Sequence, residues 1–395
     1  MKHLLFVDDE PRVLEGLKRN LHSMRHEWET EFVLDGKEAL IQLGSKQFDV
    51  IISDMRMPGM DGAALLEQAR QRFPYVIRII LSGQSDQDSV YRIVGHAHQY
   101  LSKPCDPADL KASIVRACSL GDLLENDSLR SLVTGLRNLP SLQRIYHQLQ
   151  DALALDTSLG RIGSIIATDL GMTSRILQLV NSAFFGLRRI VNNPEQAVAY
   201  LGLDTIKTLT YGTHDFSIAP EWPTSAVCPE LLWGHSLRVA KLAKFIASDL
   251  QLSPVLVDAS FTAGLLHDVG ALILASTYPE PYAAVLCRQE QTRGPLYVME
   301  REALHTTHAE VGAYLLGLWG LSEAIVEAVT YHHDPMRCSA RVCSPLTAVH
   351  MANALLSRPR LDRSDRHSPA YDPAYIEMLG FANRVELWQQ FIPLE

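Results

Sequence analysis

What most constrains this chain is the set of residues at which its short apolar runs stop. Residues 4–7 form a run of four apolar side chains that ends at Asp8 and Asp9. Residues 48–52 end at Ser53 and Asp54, residues 76–81 at Ser82, and residues 99–101 lead into Lys103 and Pro104. Helical patterns separate them at 11–23, with Pro11 at the start, at 63–73 and at 107–120. Strands alternating with helices in this way, with the run at 48–52 counted as the third strand, predict a five-stranded, doubly wound parallel α/β sheet with helices on both faces. Ligands of such sheets bind beyond the carboxyl ends of the strands. Asp8, Asp9, Asp54, Ser82 and Lys103 are therefore expected on one rim.

Five polar groups drawn from distant parts of the chain set the chemistry there. Any one of them alone reads as a helix cap or a turn residue. Together they put three carboxylates within a few ångströms, where each would raise the others' pKa. A hard divalent cation relieves this, and Mg²⁺ suits carboxylates, waters and phosphate oxygens. A metal, a free carboxylate and a lysine are what phosphoryl transfer to Asp54 would need, with Asp54 attacking in line.

From about residue 120 the strand pattern stops and helical patterns follow one another. Residues 120–137 read as a helical linker continuing the last helix of the sheet region. Val239, Leu242, Ala243, Ile246 and Leu250 form one apolar stripe, and Ile162, Ile165, Ile166, Ile176, Leu177 and Val180 fall at helical spacing. The most apolar stretch, 261–275, contains His267 and Asp268 and reads as a buried helix rather than a membrane span. Residues 358–373 read as an exposed loop and 375–391 as a last helix. The expected division is 1–120, a linker at 121–137, and an all-helical domain at 138–395.

Composition narrows the function classes. The hydrophobic fraction is 47%, enough for packed cores. A net charge of −9 argues against a broad nucleic-acid or membrane footprint. The N-terminal run is too short for a signal peptide or a span. Six scattered cysteines without a C-x-x-C pair read as reduced and cytoplasmic. Cys338 and Cys343 lie near His332 and His333, but the spacing fits no standard zinc site.

Histidines mark the helical half. His235 lies four residues before Val239, His267-Asp268 sits in GLLHDVG, His308 opens HAEVG, and His332-His333-Asp334 follows a helical pattern. His235, His267 and Asp268 are expected to meet inside a helical bundle. They would either bind a divalent metal that activates water or form a hydrogen-bonded polar cluster.

FVDDE at 6–10, DMRMPGMDG at 54–62, LSG at 81–83 and YLSKP at 100–104 resemble the response-regulator receiver family in order and spacing over residues 1–120. The resemblance implies a flavodoxin-like fold with phosphorylation on Asp54. It implies Mg²⁺ bound by Asp9, Asp54 and the Arg56 carbonyl, with Asp8 acting through water. It further implies Lys103, before a cis Pro104, and Ser82 on the phosphoryl group, with Tyr100 turned inward. NLPSL at 138–142, NSAFFG at 181–186, AVAYLGL at 197–203, LWGHSLRVA at 232–240, GLLHDVG at 264–270, HAEVGAYLL at 308–316 and YHHDP at 331–335 resemble the HDOD family, relatives of the HD phosphohydrolases. That implies an all-helical signalling or partner-binding module. Asn353 stands where active relatives carry a late aspartate, and Ala271 where a lysine often follows the HD pair. No Gly-Tyr-Pro follows YHHDP. His235, His267 and Asp268 then read as a vestigial metal site.

The leading expectation is a bacterial two-component response regulator with a non-catalytic HDOD output. A sensor histidine kinase or phosphotransfer protein would phosphorylate it, and a downstream protein or a phosphorylation-dependent homodimer would receive the signal. The alternative is a phosphorylation-controlled, metal-dependent phosphohydrolase, for example one acting on a cyclic dinucleotide. A transcription factor is disfavoured by the acidic balance and by the lack of a basic recognition helix. A phosphoryl group adds about −1.5 to −2 charges. Two new charge-assisted hydrogen bonds at roughly 1.5–3 kcal/mol each compare with the about 5.5 kcal/mol needed to invert a 1:99 equilibrium. The expected readout face comprises a helix near 86–94, the last strand and the helix after it.

Overall fold

The computed structural model describes residues 1–83, 95–124, 126–182, 187, 190–212, 228–357 and 371–392. Five strands, β1 (Lys2–Val7), β2 (Trp28–Val33), β3 (Val50–Asp54), β4 (Ile77–Gly83) and β5 (Gln99–Lys103), form one sheet in the order β2-β1-β3-β4-β5. Every neighbouring pair is parallel, with Leu4 opposite Val50, Asp54 opposite Leu81, and Ser82 opposite Ser102. This is the doubly wound order in which the crevice lies beyond β1 and β3. The central strands are buried on both faces, so they read as unbroken apolar runs. Leu5, Val7, Ile51 and Ile80 face one layer, containing Leu65 and Leu66 of α3 (Gly62–Arg72) and Leu40 of α2 (Gly36–Ser45). Leu4, Phe6, Ile52 and Ile79 face the other, with Leu14 of α1 (Pro11–Asn20) and Ile114 of α4 (Pro107–Ser119).

The remaining described helices are α5 (Asp127–Gly135), α6 (Gln143–Ala154), α7 (Leu159–Ile166), α8 (Leu170–Val180), α9 (Pro194–Lys207), α10 (Pro229–Asp249), α11 (Pro254–Leu266), α12 (Val269–Thr277), α13 (Pro279–Thr292), α14 (Leu296–Leu304), α15 (His308–Leu318), α16 (Glu323–Tyr331), α17 (Pro345–Leu356), α18 (Pro373–Met378) and α19 (Val385–Gln390). Asp169 ties this region together. Its buried carboxylate accepts from Ser141 Oγ at 2.8 Å, the Leu142 N–H at 3.0 Å and Trp233 Nε1 at 3.2 Å. That gives the NLPSL segment its anchor.

Three expectations need correction. The linker does not continue α4 as one helix: a 3₁₀ turn at Leu120–Leu123 ends it, and Asn126 restarts the chain by accepting the Leu129 N–H at 3.1 Å. The apolar stretch 261–275 is two helices, because Asp268 (φ −100°, ψ 9°) breaks the ladder between α11 and α12. That break turns His267 and Asp268 toward the helices packed across from them. The last helix is three short pieces, since Gly380 at φ +78° ends α18 and a 3₁₀ turn precedes α19. Pro254–Thr277 is long and apolar enough by composition to cross a membrane, but 83% of its most apolar window is buried inside the protein. The expected helix at 86–94, most of the 358–373 loop, and 183–186 of NSAFFG lie outside the described residues.

The sheet and the helical region share one continuous apolar cluster, running from Ile114 through Leu120, Leu129 and Val133 to Leu315 and Leu318 of α15. A buried polar seam crosses it. The guanidinium of Arg78 on β4 donates to the carbonyls of Val76 (3.1 Å), His96 (2.8 Å) and, on α5, Thr134 (2.9 Å). The Arg78 backbone N–H donates to His98 Nδ1 at 2.9 Å. This fixes the His98 tautomer, and His98 Nε2–H donates to the Thr134 carbonyl at 2.8 Å. The Thr134 hydroxyl donates to the Arg130 carbonyl, so Tyr314 of α15 donates to Thr134 Oγ1 at 2.8 Å.

Candidate functional site

The rim of the sheet gathers the predicted residues. Asp8 follows β1, Asp54 ends β3, Ser82 lies near the end of β4, and Lys103 ends β5. Lys103 Nζ lies 2.6 Å from Asp8 Oδ2 and is also ion-paired with Asp54 Oδ1. Backbone donors hold the carboxylates in place: the Glu10 N–H reaches Asp8 Oδ1 at 3.0 Å and the Arg56 N–H reaches Asp54 Oδ2 at 3.1 Å. Gly62 is required here, because a Cβ on it would collide with the Asp54 carbonyl. Asp61 caps α3 by accepting the Ala64 N–H at 2.8 Å. Asp9 is half-buried, Arg56 exposed, and Ser82 and Tyr100 are buried. The Lys103–Pro104 peptide bond is cis.

Electrostatics make this pocket cation-seeking. Burial pushes the Asp54 carboxyl above its ordinary range, and the nearby Asp8 charge adds to that; the hydrogen bond and charge of Lys103 oppose it. Burial pulls Lys103 down, but its bonds and charge interactions with Asp54 and Asp8 outweigh this and raise it. Two buried carboxylates thus share one ammonium. The donor set of Asp8, Asp9, Asp54 and the Arg56 carbonyl is all hard oxygen, which suits Mg²⁺.

A second constellation lies in the helical region. His235, His267 and Asp268 do come together. Asp268 Oδ2 is 3.2 Å from His267 Nε2 and 4.0 Å from His235 Nε2. Other histidines join them. Asp268 Oδ1 is 3.3 Å from His308 Nε2 and 3.8 Å from His332 Nε2, and His333 Nε2 is 2.9 Å from His308 Nε2. Thr307 starts α15 with a capping box to Glu310, which makes His308 its first residue. Glu300, fully buried on α14, accepts from His308 Nδ1 at 2.7 Å and from the Tyr282 hydroxyl at 2.9 Å. Sequence reasoning noticed His308, His332 and His333 but drew its metal set without them, and it missed Glu300. The HAEVG and YHHDP segments carried the only signal.

Burial pulls the His308 imidazole down, but Glu300 and Asp268 overcome it and hold its pKa up at about 10. Burial pushes Asp268 up, yet the charges and hydrogen bonds of His267 and His308 leave it well below the usual carboxylate range. His332 is pushed well down by burial and by the neighbouring imidazoles. His235 is lowered by burial despite Asp268, and its Nε2 lies 3.0 Å from Asn353 Oδ1. Imidazoles around one carboxylate could hold a divalent ion. A cavity of about 860 Å³ opens onto the cluster, with Arg293, Tyr297 and Tyr371 in its walls.

Comparison with known proteins gives two family matches. A model of the response regulator receiver domain matches residues 4–115, and one of the HDOD domain matches residues 139–335. An uncharacterized protein of Treponema pallidum is 24% identical over 263 residues, covering 66% of this chain and 48% of that protein. The DNA-binding transcriptional regulator NtrC of Salmonella typhimurium is 45% identical over 86 residues, 22% of this chain and 18% of NtrC. The chain thus spans about half or less of the length of these relatives. The crystal structure of the MmoQ response regulator from Methylococcus capsulatus is 26% identical, covers 63% of this chain and 97% of that one, and superposes with a TM-score of 0.48.

Proposed function

This chain is a response regulator in which a receiver domain at residues 4–115 precedes an HDOD domain at 139–335, and from that premise we propose that Asp54 is its phosphoryl acceptor and the helical half its output. The observation that carries this is Lys103, held between Asp8 and Asp54. A phosphorylated sensor histidine kinase or phosphotransfer protein would be the donor. An Asp54 carboxylate oxygen attacks phosphorus in line, the phosphorus–nitrogen bond of the donor histidine breaks, and an acyl phosphate forms. Asp8, Asp9, Asp54 and the Arg56 carbonyl would hold Mg²⁺, which neutralises charge on the phosphoryl oxygens. Lys103 then pairs with the phosphoryl group instead of the Asp54 carboxylate, and Ser82 donates its hydroxyl to another oxygen. Tyr100 packs inward beside them.

The route outward follows the same two strands. β4 and β5 carry Ser82 and Lys103 toward their ends, Arg78 lies near the start of β4, and His98 immediately precedes β5. Arg78 and His98 hold the Thr134 carbonyl, and Thr134 holds Tyr314. We take 1–120 as the receiver, 121–137 as the linker and 138–395 as the output, acting in the bacterial cytoplasm. The output is read as a non-catalytic module that exposes or hides a surface for a downstream protein or a second copy of the chain. A metal-dependent phosphohydrolase is the second reading, favoured by the imidazoles around Asp268.

Three experiments test this. Incubation with acetyl phosphate and Mg²⁺ should add one phosphoryl group to the wild type and none to Asp54→Asn; labelling of both alike would remove Asp54 from the account. Beryllofluoride should change the oligomeric state or the recovered partner of the wild type. Metal-dependent hydrolysis of a cyclic dinucleotide, lost in His267→Ala, would replace the non-catalytic reading.

A further inference from the structure

We propose that α8 is the input element of the helical domain: Gln178 holds the receiver segment before β5, and Asn181 passes its displacement through residues 191–193 to α11. For its trigger this rests on the reading of Asp54 as phosphoryl acceptor. The route is separate from the one through Thr134 and Tyr314.

α8 is buried along its whole length. It nevertheless carries Arg175 and Gln178, two long polar side chains spaced i, i+3 and so on one face. The receiver covers that face. Gln178 Nε2 donates to the His98 carbonyl at 3.2 Å, and Gln178 Oε1 accepts from Arg175 Nη1 at 2.6 Å. His98, Arg175 and Gln178 are each no more than 3% exposed. His98 therefore feeds both routes, its ring reaching α5 and its carbonyl reaching α8. Gly95 has φ +98°, and a Cβ there would lie 3.0 Å from Arg175 Nη2. The chain approaches α8 here as closely as a glycine permits.

Asn181 directly follows α8. Its side-chain amide accepts the Val191 N–H at 2.7 Å and donates to the Val191 carbonyl at 2.8 Å. The next two residues hold α11. The Asn192 carbonyl accepts from the Thr262 hydroxyl, and Asn193 Nδ2 donates to Asp258 Oδ1 at 2.9 Å. Asp258 and Thr262 lie one turn apart on α11, and His267 and Asp268 follow its last residue. α8 also packs directly on α11.

The two amides make the connection tight. Each uses its donor and its acceptor together, so its partners keep a fixed spacing. Gln178 is buried, and water does not replace a bond it loses. Its partners therefore move together rather than part. A shift of the segment before β5 arrives at the histidine cavity as a shift of α11.

Amide exchange of the full-length protein tests this in two arms. With beryllofluoride and Mg²⁺, exchange in α11 of the wild type should change by roughly fivefold or more. Gln178→Leu keeps the shape without the hydrogen bonds; it should lose that response and retain the one in α5 and at Tyr314. Asn181→Ala should respond in α8 but not in α11. The second arm uses no phosphoryl mimic. Gly95→Ala presses a Cβ on Arg175 and should alter exchange in α11, an effect that Asn181→Ala abolishes in the double variant. Wild-type exchange in β1 and β3 of each variant reports an intact receiver fold. The proposal is overturned if Gly95→Ala leaves α11 unchanged or acts on it equally without Asn181. It is also overturned if α11 answers beryllofluoride equally in Gln178→Leu. A wild type unresponsive to beryllofluoride, with the second arm as expected, would remove Asp54 as trigger and keep the route.

Discussion

Raising the pH of the metal-free protein is expected to remove the proton that His308 holds, and with it part of the stability of the helical half. The ordinary imidazole pKa of 6.5 is raised to about 10 in the fold, because Glu300 and Asp268 outweigh the penalty of burial. A raised pKa means that the folded state binds the proton more tightly than the unfolded chain. The stabilisation is then complete below pH 6.5 and lost as pH rises through about 10. At about 1.4 kcal/mol per unit, this shift corresponds to at most roughly 5 kcal/mol. The assay is urea unfolding at intervals from pH 6 to pH 10.5, with chelator present, for the wild type and His308→Gln. Subtracting one from the other removes the titration of groups common to both. The wild-type advantage should fall across this window by up to about 1.4 kcal/mol per pH unit. An advantage that stays level or grows with pH would refute the assignment of that proton to His308 between Glu300 and Asp268.

Other expectations follow from the same contacts. Lys103→Met leaves Asp8 and Asp54 without their shared ammonium, so Mg²⁺ no longer competes with it; calorimetry should show binding tighter by roughly tenfold, about 1.4 kcal/mol. Arg78→Met leaves the Val76, His96 and Thr134 carbonyls without their charged donor and should lower stability by roughly 2–4 kcal/mol, with faster amide exchange in α5. Tyr314→Phe removes a single bond to Thr134 and should cost only about 1 kcal/mol by thermal melting. Gly270→Ala drives a Cβ into the His308 carbonyl, so α12 and α15 must separate; a loss of about 1–3 kcal/mol in urea unfolding is expected.

The receiver was legible because its chemistry sits where strands end. Apolar runs that stop at Asp8, Asp54 and Ser82 mark both the sheet and its functional rim, since buried parallel strands need unbroken apolar sequence. β2 escaped that reading. Trp28–Val33 is WETEFV, with only its end residues buried, and an edge strand needs no such run. The histidine cluster was half legible. His267 and Asp268 are adjacent in sequence, but His308, His332 and His333 reach Asp268 only because α15 packs against α12 and α16 packs against α11 and α15, and no local pattern encodes that packing. The breaks at Asn126 and Asp268 were hidden for a related reason. Asn126 caps α5 with its side chain, whereas Asp268 holds the N-cap position of α12 without a side-chain cap and turns its carboxylate to the histidines; the apolar spacing runs through both unchanged.

A phosphoryl group at Asp54 is expected to be felt in the helical domain. Amide hydrogen exchange with and without beryllofluoride and Mg²⁺ tests that most directly. The wild type should change its protection in α5 and at Tyr314 and its neighbours in α15, and Asp54→Asn should show no change. Saturation of the receiver pocket with exchange in α5 and α15 unaltered would contradict it.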